Sequence, residues 1–407
     1  MKSNYKKIGD YIQLIDERNK GLKIQTLLGL SISKQFIPSV ANIIGTDMEN
    51  YKIIRKNQFA CSTMQVRRDK KMPVALLQEV VEAIISQAYP IFEVKDTKQL
   101  LPEYLMMWFT RSEFDREACF NAVGGVRGSL EWEDFTDMQL PIPSIEKQCE
   151  IVAEYNVIQN RIALNQQLIQ KLEETAQAIY REWFVEFEFP YENGKPYKSN
   201  GGEMAWNEEL GKEIPIGWDI VFVKDFCKEM KSGGTPSRDN NNYWNAKDIS
   251  WLKTGEVCNR VLISSEEYIS FEGCKNSSAK ILPINSVLIA MYGEGKTKGQ
   301  AGYLRFEATT NQACCAMICE NEFESTFLYY FLRINQSEIA NLANGGAQPN
   351  LSKDLIENIR IIKPLKEHLN KHQFVKFINH SEVLERENQK LTELKDLLLS
   401  KLATVEN

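Results

Sequence analysis

The sequence predicts an α+β protein in which two α/β domains, related by a pseudo-twofold, are separated by two long antiparallel coiled-coil helices. Three observations carry this. The chain repeats itself, each copy is followed by a long heptad pattern, and each copy opens with short apolar runs punctuated by turn residues. Domain boundaries follow: 1–143 for the first domain, 144–185 for the first helix, 186–364 for a linker with the second domain, and 365–407 for the second helix.

The repeat is read residue by residue. Leu101-Pro-Glu-Tyr-Leu-Met-Met-Trp-Phe109 pairs with Glu324-Ser-Thr-Phe-Leu-Tyr-Tyr-Phe-Leu332. The loop Gly124-Gly-Val-Arg-Gly-Ser-Leu130 pairs with Gly345-Gly-Ala-Gln-Pro-Asn-Leu351, and Pro143 with Pro364. Upstream, Ser86-Gln-Ala-Tyr89 matches Asn311-Gln-Ala-Cys314 more weakly, and Asn57-Gln-Phe-Ala60 matches Asn285-Ser-Val-Leu288. One scaffold used twice leaves its divergent stretches open to two different ligands.

In the first domain, 51–64 reads as strand-turn-strand and 101–119 as one amphipathic helix, before Pro141 and Pro143 stop the chain. The first long helix has Ser144 at its N-cap. Its seam runs Tyr155, Ile158, Ile162, Asn165, Ile169, Leu172, Ala176, Ile179 and Trp183, at alternating spacings of four and three. The second, over 365–405, has the seam Phe374, Phe377, Ser381, Leu384, Asn388, Leu391, Lys395, Leu398, Leu402 and Val405. Helices of some 40 residues span roughly 60 Å. Each seam holds one asparagine near its midpoint. A seam asparagine sacrifices stability for register, so Asn165 and Asn388 are expected to face each other. The linker, with Asn193-Gly-Lys-Pro196, Gly201-Gly202 and Ile214-Pro-Ile-Gly217, leaves little room for regular structure. In the second domain, strands are expected over 281–291, 302–306 and 313–319.

Composition excludes several classes. Met1-Lys-Ser-Asn-Tyr5 has no apolar run behind it, no window is long and apolar enough to span a membrane, and the chain is expected in the cytoplasm. Nine cysteines show no framework spacing and read as reduced thiols. The net charge is −6, divided as +1 for 1–143, −2 for 144–185, −5 for 186–364 and 0 for 365–407. No segment is strongly basic, so any grip on nucleic acid is local or shared with a basic partner. Ala290-Met-Tyr-Gly-Glu-Gly-Lys-Thr297 imitates a phosphate loop, but two glycines and another strand follow where the motif demands a helix. His368-Leu-Asn-Lys-His372 offers two imidazoles one turn apart without the glutamate of a zinc-protease motif, and no metal site is expected. The chain carries neither a glycine-rich cofactor loop nor the Asn/Asp-Pro-Pro-aromatic tetrapeptide of amino-methyltransferases, and it has no nucleophile–base pair. It reads as a binder, not a catalyst.

Several motifs, taken in order, carry a family resemblance. They are Lys171-Leu-Glu-Glu-Thr-Ala-Gln-Ala-Ile-Tyr-Arg-Glu-Trp-Phe184 with Phe187-Glu-Phe-Pro190, Ile214-Pro-Ile-Gly-Trp218, Ser232-Gly-Gly-Thr-Pro-Ser237 with Tyr243-Trp244, Thr309-Thr-Asn-Gln312 and Gly345-Gly-Ala-Gln-Pro-Asn-Leu351. Over nearly its whole length the chain resembles the specificity subunit of type I restriction-modification systems. The first domain departs from the pattern, with no Gly-Gly-Thr-Pro-Ser near its start and Ser86-Gln87 where Asn-Gln is usual. The resemblance implies two target recognition domains, each reading half of a split, asymmetric double-stranded DNA target. It implies helices that set the spacing and dock two methyltransferase subunits. S-adenosylmethionine and ATP are expected in partner subunits, the latter with the restriction/motor subunits; this chain would hold no cofactor. The runner-up is a coiled-coil scaffold joining two modules with non-DNA ligands.

On that reading, the loops 62–71 and 292–298 are the first candidates for DNA contact. Gln65, Arg67 and Arg68 have the chemistry to read bases, and Lys70, Lys71, Lys296 and Lys298 to hold phosphates, with Tyr292 beside them. The glycine loops add Arg127 in one domain, and Gln348 and Asn350 in the other. The Gly-Gly-Thr-Pro-Ser loop adds Thr235, Ser237 and Arg238, against the simpler reading that it is a turn serving the fold alone.

Overall fold

The computed structural model describes residues 5–39, 46–125, 128–293, 297–343 and 350–405. Two compact units divide the chain: residues 1–162 with 390–407, and residues 163–389. Each long helix therefore contributes residues to both units.

Each unit is built on an antiparallel sheet of the same order. In the first it runs Ile12–Ile15, Ile91–Val94, Phe59–Cys61, Val74–Leu76; in the second Glu229–Ser232, Cys314–Ile318, Val287–Ala290, Ala301–Leu304, with Arg260–Leu262 added in parallel at the end. Asn57 and Asn285 turn the chain into equivalent strands, with φ of 69° and 70°, a left-handed conformation that asparagine tolerates. A second strand pair recurs: Tyr5–Lys7 with Gln139–Pro141, and Asp219–Phe222 with Arg360–Lys363. The repeat thus reaches further upstream than residue identity reveals.

Both sheets are buried on two faces, which explains their near-continuous apolar strands. Side chains alternate across a strand. Val287 and Ile289 join one core with Tyr303, Met317 and Phe327; Leu288 and Ala290 join another with Leu304 and Cys314. Phe59 and Phe92 stack on one face of the first sheet, at 4.9 Å between ring centres, while Ala60 and Ile91 fill the other. The helix Glu322–Ile334 covers the second sheet, capped by Asn321 Oδ1 accepting from Glu324 N at 3.0 Å.

Four local expectations differ from the structure. The segment 101–119 forms two helices, Pro102–Thr110 and Ser112–Asn121, because Arg111 is extended (ψ 141°) and stacks its guanidinium over Trp108. The linker contains a hairpin, Met204–Asn207 with Lys212–Pro215, whose turn is closed by Asn207 Oδ1 accepting from Leu210 N. Strand structure begins only at Val287 within 281–291. The second long helix runs over Phe374–Lys401, with a separate turn at Lys366–Leu369. Between them, buried His372 accepts from Phe374 N through Nδ1 (3.3 Å) and meets Phe323 O through Nε2 (3.1 Å). His368 instead accepts from Trp218 Nε1 at 3.0 Å. The two imidazoles therefore serve different neighbours.

The first long helix, Ile145–Tyr180, has Ser144 Oγ accepting from Lys147 N at 3.3 Å. In the first unit its Ile151 packs with Leu399 and Leu402. In the second its Ala176 and Tyr180 pack with Phe374 and Ile378, so the helices run antiparallel. Between those contacts Asn165 Nδ2 donates to Asn388 Oδ1 at 3.0 Å, with both residues buried. The seam moves by one residue from the heptad reading at several places: Tyr180, Phe184, Ile378 and Leu399 are buried, while Ile179, Trp183, Phe377 and Leu398 are partly so. A π-turn over Arg181–Val185 follows, and the helix ends enter domain cores that surround more than one stripe.

Two arginines tie the second domain to the helices. Arg305 donates to Glu382 (2.6 Å), Asn379 (3.0 Å), Glu322 (2.7 Å) and Asn285 (2.7 Å). Arg333 pairs with Glu173 at 3.1 Å.

Two stability predictions follow from the helix pair and its break. Asn165→Leu alone removes the donor to a buried carbonyl and is expected to cost about 1–3 kcal/mol. The double change to leucine at 165 and 388 should melt above the single variant and above the native chain, by thermal denaturation. Burial pushes the His372 imidazole down to about 4 from an ordinary 6.5. The unfolded chain then binds more protons below about pH 6.5, so this stability is present above that pH and lost as pH falls towards 4. His372→Gln should remove about 2 kcal/mol of the difference in unfolding free energy between pH 7 and pH 4.5 in urea titrations.

Candidate nucleic-acid interface

Strand direction gathers the motifs of the second unit at one end of its sheet. The strand Glu229–Ser232 ends there, Cys314–Ile318 begins there, and Val287–Ala290 ends there. From those ends spring the Gly-Gly-Thr-Pro-Ser loop, the Thr-Asn-Gln turn and the loop 291–300. Met291 N donates to Ala313 O at 2.8 Å, and Leu351 N donates to Met291 O at 3.0 Å. The first unit repeats the last contact: Leu130 N donates to Thr63 O at 2.9 Å. Each glycine loop is therefore stapled, at its matched leucine, to the loop leaving the matched central strand.

In the first unit, loop 62–71 folds around a short helix, Val66–Asp69, between Gln65 (φ 64°) and Lys70 (φ 51°). Buried Val66 anchors it, while Arg67, Arg68, Lys70 and Lys71 are exposed. Arg67 Nη1 donates to Gly124 O at 3.1 Å. A Cβ on Gly128 would lie 2.7 Å from Arg67 Cδ, so glycine at 128 lets the arginine stem lie against the loop. Arg68 makes a two-pronged pair with Asp69, Nε to Oδ1 at 2.6 Å and Nη2 to Oδ2 at 3.0 Å, which holds the Asp69 carboxyl below its ordinary range. Of the two guanidinium groups, Arg68 is thus bound edge-on to a carboxylate and Arg67 keeps most of its fork exposed. Arg127 lies outside the described residues.

Sequence reading missed what supports this loop. Asp115 Oδ1 accepts from Met72 N at 3.0 Å and faces Lys34 Nζ at 2.8 Å, and Lys34 also donates to Phe109 O. The pair is buried, and desolvation pulls the Lys34 ammonium below its ordinary range. Lys34 and Asp115 lie 81 positions apart, with no motif to connect them.

In the second unit, the Gly-Gly-Thr-Pro-Ser loop is held from all sides. A Cβ on Gly233 would sit 2.0 Å from Asn311 O, and one on Gly234 2.3 Å from Ser278 Oγ. Thr235 Oγ1 donates to Gln312 Oε1 at 2.5 Å, Trp244 Nε1 to Ser237 O at 3.0 Å, and Trp251 Nε1 to Gly234 O at 2.9 Å. Arg238 lies 3.5 Å over Trp244 and pairs with Glu267 at 2.6 Å. These contacts serve the fold, and they bring the Ser-Gly-Gly-Thr-Pro-Ser, Tyr-Trp and Thr-Asn-Gln motifs into one cluster. Tyr292 and Asn350 are exposed and Lys298 is half-buried. Lys296 and Gln348 lie outside the described residues.

The aromatic motif after the first helix has another role. Phe189 stacks on Trp218 at 5.0 Å and lies 4.4 Å from His368, while Phe184 meets Phe327 at 4.8 Å. Among the described residues no cluster of histidine, cysteine, aspartate or glutamate could hold a metal ion, and no helix is long and apolar enough to cross a membrane.

Two copies of one sheet scaffold, each with a basic loop and a glycine loop stapled at one sheet end, define a double-headed binding protein. The sequence pattern described as the type I restriction modification DNA specificity domain matches residues 37–174 and again 215–396, and the chain belongs to that family. It is 26% identical over 314 residues to the type I restriction enzyme MjaIX specificity subunit of Methanocaldococcus jannaschii, covering 74% of this chain and 68% of that one. It is 24% identical over 374 residues to the HindI specificity subunit of Haemophilus influenzae, covering 78% and 80%. Its fold is like that of the type I restriction-modification S subunit from M. genitalium, with a TM-score of 0.56 over 99% of this chain and 96% of that one, at 14% identity.

Proposed function

We propose that this chain is the DNA sequence-reading subunit of a type I restriction-modification assembly. Each unit reads one half of a split, asymmetric target, and the paired helices keep the two halves at a set spacing. The observation that carries this is the equivalent stapling of two divergent loops, 62–71 and 291–300, onto one repeated scaffold. Family membership disfavours the scaffold reading with non-DNA ligands.

Within this function the residues take different roles. Arg67, on a loop held from behind by Asp115, has the planar donor fork that matches a guanine edge. Lys70, Lys71 and Lys298 are suited to phosphates, which position the protein without reporting sequence. The chain itself contributes no catalytic group. Two methyltransferase subunits supply S-adenosylmethionine, and motor subunits supply ATP hydrolysis and cleavage. Docking of partners is supported by apolar side chains left outside the helix seam: Val157, Leu164 and Leu168 on the first helix, and Val383, Leu394 and Leu397 on the second, are all exposed.

Direct sequencing of native DNA from cells with and without this gene tests the function. One motif of a few bases on each side of a fixed gap should lose methylation on deletion; unchanged methylation, with gene and partners expressed, would sink the reading. Arg67→Ala should alter one half of that motif or cost about 1–3 kcal/mol of discrimination against the wrong base. An equal loss on cognate and random DNA would reject Arg67 as a reader.

A further inference from the structure

We infer that a cleft in the second unit, lined by Asn259, Lys298, Gln300, Gln336, Ser337 and Asn341, holds a backbone phosphate of the DNA beside the half-site which that unit reads. The inference rests on the DNA-reading function above. The cleft has a volume of about 450 Å³. It lies between loop 297–300 and the helix Gln336–Asn341, at the sheet end where the other loops gather.

One wall is rigid. Asn259 (φ 57°) accepts from Ala301 N at 2.9 Å and donates to Gln336 Oε1 at 2.8 Å. Its carbonyl accepts from Arg333 Nη1 at 2.5 Å, the arginine that pairs with Glu173. Gly299 (φ 79°) lets the loop approach the helix: a Cβ there would lie 3.2 Å from Gln336 O. The first unit has no such wall, because the strand Arg260–Leu262 that Asn259 introduces has no counterpart among its described residues.

The lining selects the ligand. Among the described residues it offers amides, a hydroxyl and one ammonium, and no carboxylate. This set favours an anion over a cation. The side chains of Gln300, Ser337 and Asn341 make no hydrogen bond to any described residue, so donors stand ready in the cleft. Shape decides between the parts of a duplex. Base edges are recessed in the grooves and are reached by protruding loops; the sugar-phosphate backbone protrudes and fits a concave site.

The test uses the full chain assembled with its methyltransferase partner, a cognate duplex and an unrelated duplex. Asn341→Asp places a carboxylate in the cleft and should weaken binding to both duplexes by the same factor, about tenfold, with the methylated sequence unchanged. Lys298→Ala should reduce the slope of log K against log salt by about 0.9, the value for one phosphate contact. A change of the methylated sequence at a single base position would overturn the inference in favour of base reading. Unchanged affinity and slope in both variants, while the wild type still tells the duplexes apart, would overturn the cleft alone. A wild-type assembly that binds both duplexes equally would overturn the DNA-reading function, and this site with it.

Discussion

The hydrogen bond from Asn165 to Asn388 governs how the two long helices slide past one another. Heptad seams repeat, so apolar contacts alone would tolerate a shift of seven residues. Such a shift would part the two amides and set Asn388 against Ile158 or Leu172. It would also carry Tyr180 away from Phe374, its stacking partner at 6.0 Å, and Ile151 away from Leu399. Each unit's core includes residues from both helices, so helix register and domain core are a single problem with one solution.

The arginines extend that constraint from the helices into the second domain. Arg305 reaches Glu382 and Asn379 on one helix, and Arg333 reaches Glu173 on the other. Both arginines are largely buried side chains. Desolvation offsets much of the attraction in such pairs, so their main effect is on geometry. A domain held at two points, one on each helix, cannot roll on the pair without breaking a buried ion pair. For a protein proposed to read two separated sites, resistance to rolling matters more than added stability.

The candidate binding surfaces divide by shape and by what holds them. Loop 62–71 projects on a short helix and is held from behind by the buried Lys34–Asp115 pair. The Gly-Gly-Thr-Pro-Ser loop is pinned by two tryptophans and a glutamine, which leaves its residues little freedom to adapt. The cleft beside loop 297–300 is concave and walled by Asn259. On the proposed function, projecting loops and a concave cleft would meet different parts of a duplex, separating recognition of sequence from attachment to the backbone.

Much of this architecture is legible in the sequence, because it is set by periodicity and local chemistry. The heptads mark the helices and their asparagines, the repeat marks two copies of one scaffold, and the glycine loops mark equivalent corners. Alternation cannot show which strands pair, since both sheets are buried on two faces and read as continuous apolar runs. The hairpin at 204–215 and the break before Phe374 escaped notice because one rests on an asparagine side chain closing a turn and the other on an imidazole satisfied by a distant carbonyl. Lys34 with Asp115, and Asn259 with Gln336, meet only once the chain is folded. Sequence by itself thus determined the repeat, the helix pairing and the family motifs, all of which depend on neighbours in the chain. Tertiary structure alone decided the meetings outside the helix seam, Lys34 with Asp115 and Asn259 with Gln336, because those contacts depend on how distant segments pack.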